Sequence, residues 1–141
     1  MPLVDSHCHL DFPQLAERRG EVVARAREAG VGVMLTIGTR LSAFEGVRAA
    51  AEASEGIYCS VGVHPHEAEA EPDIQAAQLL AHAGHPKVVA FGETGLDYFY
   101  EHAPRDAQKA NFRAHIEAGR TAGLPIIVHT RDADEDTQAL L

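Results

Sequence analysis

The chain alternates between strand-like and helix-like segments, and this alternation limits its fold more than any other feature. Apolar, strand-like runs are predicted at residues 3–10, 31–37, 57–63, 88–91 and 125–129. Helical patterns follow them at residues 14–29, 42–56, 72–84, 104–121 and from 134 onward. Regular alternation of this kind indicates a parallel α/β sheet, either open and doubly wound or curled as in a (β/α)₈ barrel.

Local signals support these boundaries. Gly30 and Gly123 follow predicted helices, as C-terminal glycines commonly do. Ser42 is predicted to cap the second helix, and Pro72 and Pro104 to open the third and fourth. The run at residues 31–37 has no polar alternation, which is typical of a strand covered on both faces.

Length and composition predict a single domain. The 141 residues are 45% hydrophobic and 23% charged, which allows a buried core and argues against disorder. No repeat, low-complexity segment or linker divides residues 1–141. A complete barrel needs about 250 residues, so this chain would supply about five of eight β/α units.

Charge and cysteine content narrow the class of protein. A net charge of −9 argues against nonspecific coating of nucleic acid, although bound divalent metal can invert the sign of a local site. Cys8 and Cys59 lie in no zinc-finger spacing, which is typical of buried thiols in a reducing compartment. There is no signal-peptide pattern and no long apolar run, so we expect a cytoplasmic protein without a membrane partner.

Ionisable side chains fall at the predicted carboxyl ends of four of the five strands. They are His7 and His9 on the first, His64 after the third, Glu93 after the fourth and His129 on the fifth. Residues i and i+2 of a strand project from one face, so the first two histidines form a pair of nitrogen donors. Parallel folds build their sites at this end of the sheet, and the joint placement therefore predicts a metal site.

The donor types indicate which chemistry such a site could perform. Imidazole and carboxylate ligands without thiolates suit Zn²⁺, Mn²⁺ or Fe²⁺. Glu93 could bridge two ions, and two ions about 3.5–4 Å apart can clamp the attacking and leaving oxygens of a phosphodiester. Taken one at a time, each of these candidate ligands could equally be a solvated surface side chain or a structural residue of the core. Four helix and loop histidines are expected outside the site: His82, His85, His102 and His115.

Four motifs occur in order along the chain. They are VDSHCHLD at residues 4–11, GVHPHEA at 62–68, GETGLDY at 92–98 and PIIVHTRDA at 125–133. Together they resemble the successive motifs of the TatD family, metal-dependent hydrolases on a TIM-barrel-like scaffold that are commonly described as deoxyribonucleases. The resemblance implies that residues 1–141 form the N-terminal portion of a TatD-type (β/α) barrel, with DNA as substrate.

The resemblance also implies roles for individual residues. His7 and His9 would bind one divalent cation, Glu93 would bridge two, and His129 would bind the second; Zn, Mg or Mn would fit. His64 would lie beside the metals and hold substrate.

Arg131 is a further substrate contact that we infer from its chemistry, because a guanidinium fork matches phosphate oxygens. A surface salt bridge is an equally plain explanation for it.

Members of the family continue for another hundred or so residues and supply a further His and a late Asp. That Asp is the natural group to position or deprotonate the nucleophilic water, and it would lie beyond Leu141. No residue of the chain is therefore assigned as catalytic. The isolated 141 residues are expected to carry an incomplete site and two unpaired sheet edges, with self-association or a partner chain as one consequence.

Two other functions fit the same residues. A related enzyme could cleave an ester or amide, for instance an aminoacyl ester on RNA, because the same metals can polarise a carbonyl. The chain could also be a non-catalytic fragment that binds metal. Substrate turnover and the size of the protein in solution distinguish the three functions.

Overall fold

The computed structural model describes residues 2–141, in which five parallel strands form one sheet in the order β1-β2-β3-β4-β5. The strands are β1 (Leu3–Cys8), β2 (Val31–Thr36), β3 (Ile57–Val61), β4 (Val88–Asp97) and β5 (Ile126–Arg131). A doubly wound sheet reverses its strand order at a switch point, whereas a barrel adds each strand beside the last. The observed order therefore selects the barrel-type arrangement from the two that the sequence allowed.

Helical segments connect the strands across the outside of the sheet. They are α1 (Pro13–Ala16), α2 (Arg19–Glu28), α3 (Phe44–Glu52), α4 (Ala76–Leu80), α5 (Arg105–Ala122) and α6 (Asp134–Leu140), with 3-10 turns at Leu41–Ala43 and Pro65–Glu67. Within residues 2–141, no helix combines the length and apolar character that crossing a membrane requires.

The sequence predicted α5 closely and the earlier helices less well. Pro104 occupies the N-cap position of α5, and Gly123 ends the helix with a left-handed φ of 67°. The helix predicted at residues 14–29 is two helices, and the one at 72–84 is reduced to α4, with Pro72 outside it. Segments rich in Ala and Glu carry a helical pattern even where tertiary packing holds only part of them in a helix.

Ser42 does not cap α3, and that prediction was wrong. Ala43 occupies the N-cap position instead. The carboxylate of Glu71 accepts hydrogen bonds from the Ser42 hydroxyl and from the backbone N–H groups of Leu41, at 2.6 Å, and Ser42, at 3.0 Å. The carboxylate of Glu71, which lies in a distant loop, therefore accepts the hydrogen bonds of the N–H and O–H groups near the start of α3, in place of a capping side chain.

Strand β4 is longer than its apolar run predicted. It continues from Val88 through the glycine-rich segment to Asp97, so Glu93 lies inside the strand and not after it. The peptide bond between Gly92 and Glu93 is cis. Strand β2 is not fully covered on both faces as predicted: Met34 and Thr36 are buried on one face, Leu35 is only half-buried on the other, and Gly32 is exposed.

The core lies between the sheet and helices α3 to α5. Phe44, Val47, Leu79 and Phe91 are buried in it, and a second cluster joins α5 to β5 and α6 through Phe112 and neighbouring side chains. With the helices packed along the outside, the carboxyl ends of the strands stay accessible.

Both cysteines belong to this packed interior. Burial, reinforced by the nearby carboxylates of Asp5 and Asp11, raises the pKa of the Cys8 thiol to about 11. Burial, followed by the charge of Glu52, raises that of Cys59 to about 11 as well. Neither thiol is a thiolate at neutral pH, and both pack as small apolar groups.

His115 ties helix α5 to the end of β3. Its ring is fully buried, Nδ1 donates to the carbonyl of Asn111 at 2.8 Å, and Nε2 accepts from the backbone N–H of Val63 at 3.1 Å. Burial, partly offset by the bond to Asn111, lowers the pKa of His115 to about 4. The neutral ring thus braces the backbone immediately before His64.

The protein is expected to lose stability in acid through His115. The folded-state pKa lies below the ordinary value of 6.5, so this contribution is complete above pH 6.5 and is lost as the pH falls towards 4. The full loss is about 3 kcal/mol. Urea unfolding at several pH values, in EDTA, would measure it against His115→Gln, which cannot titrate. An unchanged pH dependence in the variant would contradict the assignment.

Candidate metal centre

One group of candidate metal ligands joins the end of β1 to β4. His7 and His9 have ring centroids 5.3 Å apart, and His7 Nε2 lies 3.3 Å from Glu93 Oε2. His9 Nδ1 lies 3.3 Å from the carbonyl oxygen of Ile37. A carbonyl only accepts, so Nδ1 carries the proton, and the lone pair on Nε2 is left for a metal.

A second group joins β4 to β5. His129 Nδ1 lies 3.3 Å from Glu93 Oε1, and His64 Nε2 lies 3.9 Å from the same oxygen. Glu93 is almost fully buried, with its side chain 11% exposed. Its two oxygens therefore face histidines from different strands on either side of one carboxylate.

The donor atoms of both groups have the spacing that a divalent ion needs. In each of two groups, the candidate ligand atoms lie within 4.8 Å of one another. The first group is His7, His9 and Glu93, and the second is His64, Glu93 and His129. Ligands about 2.1 Å from a tetrahedral ion lie about 3.4 Å apart. The two 3.3 Å contacts of Glu93 match that separation, so the residues fit a metal on each side of it.

His64 is positioned to donate a hydrogen bond from its Nε2 atom. Its Nδ1 accepts the backbone N–H of His66 at 3.1 Å, which places the proton of the neutral ring on Nε2. Burial, followed by the proximity of His129 and His66, lowers the pKa of His64 to about 3. The ring is neutral at physiological pH and presents an N–H group towards the cleft beside Glu93.

Asp97 and His66 join the site although the sequence did not single them out. Asp97 is fully buried, and its Oδ2 lies 2.9 Å from Nε2 of His66 and 2.9 Å from Nε2 of His129. Its Oδ1 accepts the backbone N–H groups of Phe99, at 3.1 Å, and Tyr100, at 2.9 Å. The sequence feature that could have identified them is their position in two of the four motifs, since His66 ends the segment HPH and Asp97 ends the segment GLD.

These contacts keep the Asp97 carboxylate charged. Burial alone would raise its pKa, but the hydrogen bonds from Tyr100, His66 and His129 outweigh burial and lower it well below its usual range. A charged acceptor at Nε2 of His129 holds the proton there and leaves Nδ1 free to face Glu93. This is the carboxylate–histidine arrangement that commonly orients metal ligands.

Arg131 lies at the end of β5, beyond His129. Its guanidinium carbon is 4.3 Å from the ring centre of Phe99 and 4.8 Å from that of Tyr100. Within residues 2–141 it makes no ion pair, so the surface salt bridge considered for it is not found in that part of the chain.

A cleft of about 290 Å³ opens over the ligands, lined by His9, Phe12, Thr39, His64, His66, Glu67 and Glu93. A larger cavity of about 550 Å³ lies away from it, beside α4 and α5. The larger cavity borders none of the clustered histidines, so it is not part of the candidate metal centre.

A parallel, barrel-type β/α sheet with histidines and a shared carboxylate at its strand ends defines the class of TIM-barrel-like metal-dependent hydrolases. The chain belongs to the TatD family. The family model described as "TatD related DNase" matches residues 4–141.

Two curated bacterial proteins show the same relationship. The chain is 39% identical to the "Uncharacterized metal-dependent hydrolase YcfH" of Escherichia coli K12, covering 100% of this chain and 54% of YcfH. It is 38% identical to the "3'-5' ssDNA/RNA exonuclease TatD" of Cronobacter sakazakii, covering 99% of this chain and 53% of that protein. The chain thus spans about half the length of these relatives.

Solved structures agree with the fold. The TatD homologue YJJV of Escherichia coli K12 superposes with a TM-score of 0.89 at 31% identity, over 97% of this chain and 54% of YJJV. A TatD family hydrolase from Entamoeba histolytica has a TM-score of 0.84 at 22% identity, over 99% and 53% of the respective chains, and supports the fold alone. The predicted TIM-barrel-like class is confirmed.

Proposed function

We propose that the protein is a two-metal hydrolase that cleaves phosphodiester bonds in DNA. His7, His9 and Glu93 would hold one divalent cation, Zn, Mg or Mn, and Glu93 and His129 would hold a second. The observation that carries this proposal is the pair of 3.3 Å contacts from the two oxygens of Glu93 to histidines of different strands. The exonuclease name of the Cronobacter relative supports the choice of substrate.

The bound cations would polarise the phosphoryl group and lower the pKa of a bound water. His64 Nε2–H then donates a hydrogen bond to a phosphate oxygen, because its proton lies on the nitrogen that faces the cleft. Arg131 contacts a neighbouring phosphate with the N–H groups at the edge of its guanidinium. Asp97 orients His129, and the buried position of Glu93 limits competition from bulk water.

A cleavage assay of a protein that carries the whole barrel tests this function, because residues 1–141 alone are expected to hold an incomplete site. A labelled single-stranded oligonucleotide should be cut in the presence of Zn²⁺, Mn²⁺ or Mg²⁺, and EDTA should stop the cleavage. An aminoacyl ester on RNA, assayed alongside, tests the ester-hydrolase alternative. Turnover of the ester without turnover of the oligonucleotide would overturn the assignment as a phosphodiesterase.

Asp97→Asn is expected to lower metal affinity and the rate of oligonucleotide cleavage by about 10- to 100-fold each, the usual effect of losing a partner of a metal ligand. The amide nitrogen would face both imidazoles, so His129 would lose the acceptor that holds its proton on Nε2. Calorimetric metal titration and cleavage kinetics would measure the two effects.

Asp136→Asn is the matched control, since Asp136 accepts hydrogen bonds from Tyr98 and Lys109 and contacts no histidine. It should bind metal as the native protein does. If Asp97→Asn did so too, Asp97 would not be a positioning residue.

Residues 1–141 are proposed to form the first part of one barrel domain in a cytoplasmic protein. For residues 1–141 on their own we also propose self-association, because β1 lies at an edge of the sheet and exposes Leu3 and Val4, each 62% accessible. Sedimentation of the protein over a range of concentrations measures this association directly.

A further inference from the structure

Beyond Asp97, three ring-bearing side chains form an exposed cluster, Phe99, Tyr100 and His102, which we call the aromatic platform. Phe99 is 55% exposed and Tyr100 is 50% exposed. The Tyr100 and His102 rings lie parallel with centroids 5.4 Å apart, and Phe99 stands perpendicular to Tyr100 at 4.7 Å. The rings hold one another in a defined arrangement while half of their surface meets solvent.

The platform lies one side chain away from the metal ligands. His66 has its ring centroid 5.7 Å from that of Tyr100 and 4.6 Å from that of His102. His66 in turn shares Oδ2 of Asp97 with His129. A molecule that rests on the platform would therefore extend into the cleft over Glu93.

The platform also carries a positive charge. Arg131 lies over the rings of both Phe99 and Tyr100, within cation–π distance of each, and its N–H groups remain able to donate. The carboxylate of the adjacent Glu101 is paired with Arg105. In a chain with a net charge of −9, this places a cation beside exposed rings at the mouth of the site.

We propose that the aromatic platform is a nucleobase-stacking subsite for single-stranded nucleic acid. A base stacks on the exposed rings, Arg131 contacts its phosphate, and the next phosphodiester reaches the metal ligands. Bases in a duplex are already stacked on their neighbours, so an unpaired base is the form that can occupy the platform. The subsite rests on the proposed function, because a platform at this place matters only if a phosphodiester enters the cleft.

Binding can be measured apart from catalysis. Fluorescence anisotropy of an end-labelled strand reports its binding to the native protein and to every variant, including those that lack Tyr100. In EDTA, single-stranded oligothymidylate should bind about tenfold more tightly than an abasic strand with the same number of phosphates. Phe99→Leu and Tyr100→Leu should remove this preference, and Tyr100→Phe should keep the tighter binding.

Tyr58→Leu provides the matched control. Tyr58 is also an exposed aromatic residue with a cation near its ring, since Lys87 Nζ lies 5.2 Å from the ring centre, but it belongs to β3 and is not part of the platform. Its replacement should leave the preference for the base-containing strand unchanged. Circular dichroism of each variant confirms that the fold is kept, and Tyr100→Phe reports on the platform without loss of a ring.

The outcomes separate the subsite from the function on which it rests. Equal affinity for the two strands, or a preference that survives in both leucine variants, would overturn the subsite even if the protein cleaves DNA. A change in sedimentation of the leucine variants without a change in strand binding would also overturn it and assign the rings to self-association. Base-dependent binding without cleavage of any strand would support the subsite and reject the phosphodiesterase assignment.

Discussion

Glu93→Gln is expected to reduce phosphodiester cleavage by roughly 10³-fold and to empty the metal centre. The substitution keeps the shape of the side chain but removes the charge that both ligand groups share. Two bound cations stabilise transition-state charge by several kcal/mol, and every 1.36 kcal/mol changes a rate tenfold. His7 and His129 each approach a different oxygen of this carboxylate at 3.3 Å, so one replacement weakens both groups.

Metal content by mass spectrometry and cleavage kinetics would test this expectation together. Glu117→Gln makes the same chemical change on an exposed position of α5 and should retain both metal and activity. A Glu93→Gln protein with full metal content and an unchanged rate would show that Glu93 bridges no cations. Loss of the rate with full metal content would instead assign Glu93 a role in proton transfer.

The order of the elements could be predicted because hydrophobic runs and helical stripes are properties of local sequence. All five strands and α5 lie where those patterns indicated. The prediction failed where distant groups decide the structure. Glu71 takes the donors around Ser42, and tertiary packing leaves only Ala76–Leu80 helical in the third predicted helix.

The site was predictable to the same extent and for the same reason. His7, His9, His64, Glu93 and His129 share one end of a parallel sheet, so knowledge of the strands was enough to expect their convergence, and the structure does bring them together. The metal-ligand roles of four of these residues, and the substrate-binding role of His64, remain predictions.

Asp97 was missed because β4 was expected to stop at Phe91, which would have left this carboxylate in a loop. Continuation of the strand through a glycine-rich segment instead buries it beside His66 and His129. The same extension of β4 moves Glu93 from a turn into the sheet. The apolar run therefore predicted where β4 begins, whereas its pairing with β5 extends it to Asp97.

Gly95→Ala is expected to destabilise the protein by about 4 kcal/mol or more. Gly95 pairs with His129 across β4 and β5, and its φ of 134° is one that residues with a side chain rarely adopt. A Cβ at this position would collide with the backbone carbonyl of His129. Backbone strain costs about 1–3 kcal/mol, and separating the two strands to relieve the collision adds to it.

Urea unfolding of Gly95→Ala would measure this loss, with Gly46→Ala as its counterpart. Gly46 lies in α3, and a Cβ there would meet nothing within 4 Å, so alanine should raise stability by up to about 1 kcal/mol. Equal stability of Gly95→Ala and the native protein would contradict the close approach of β4 and β5. Because that approach also sets the distance between Glu93 and His129, a folded Gly95→Ala protein should bind metal more weakly than Gly46→Ala.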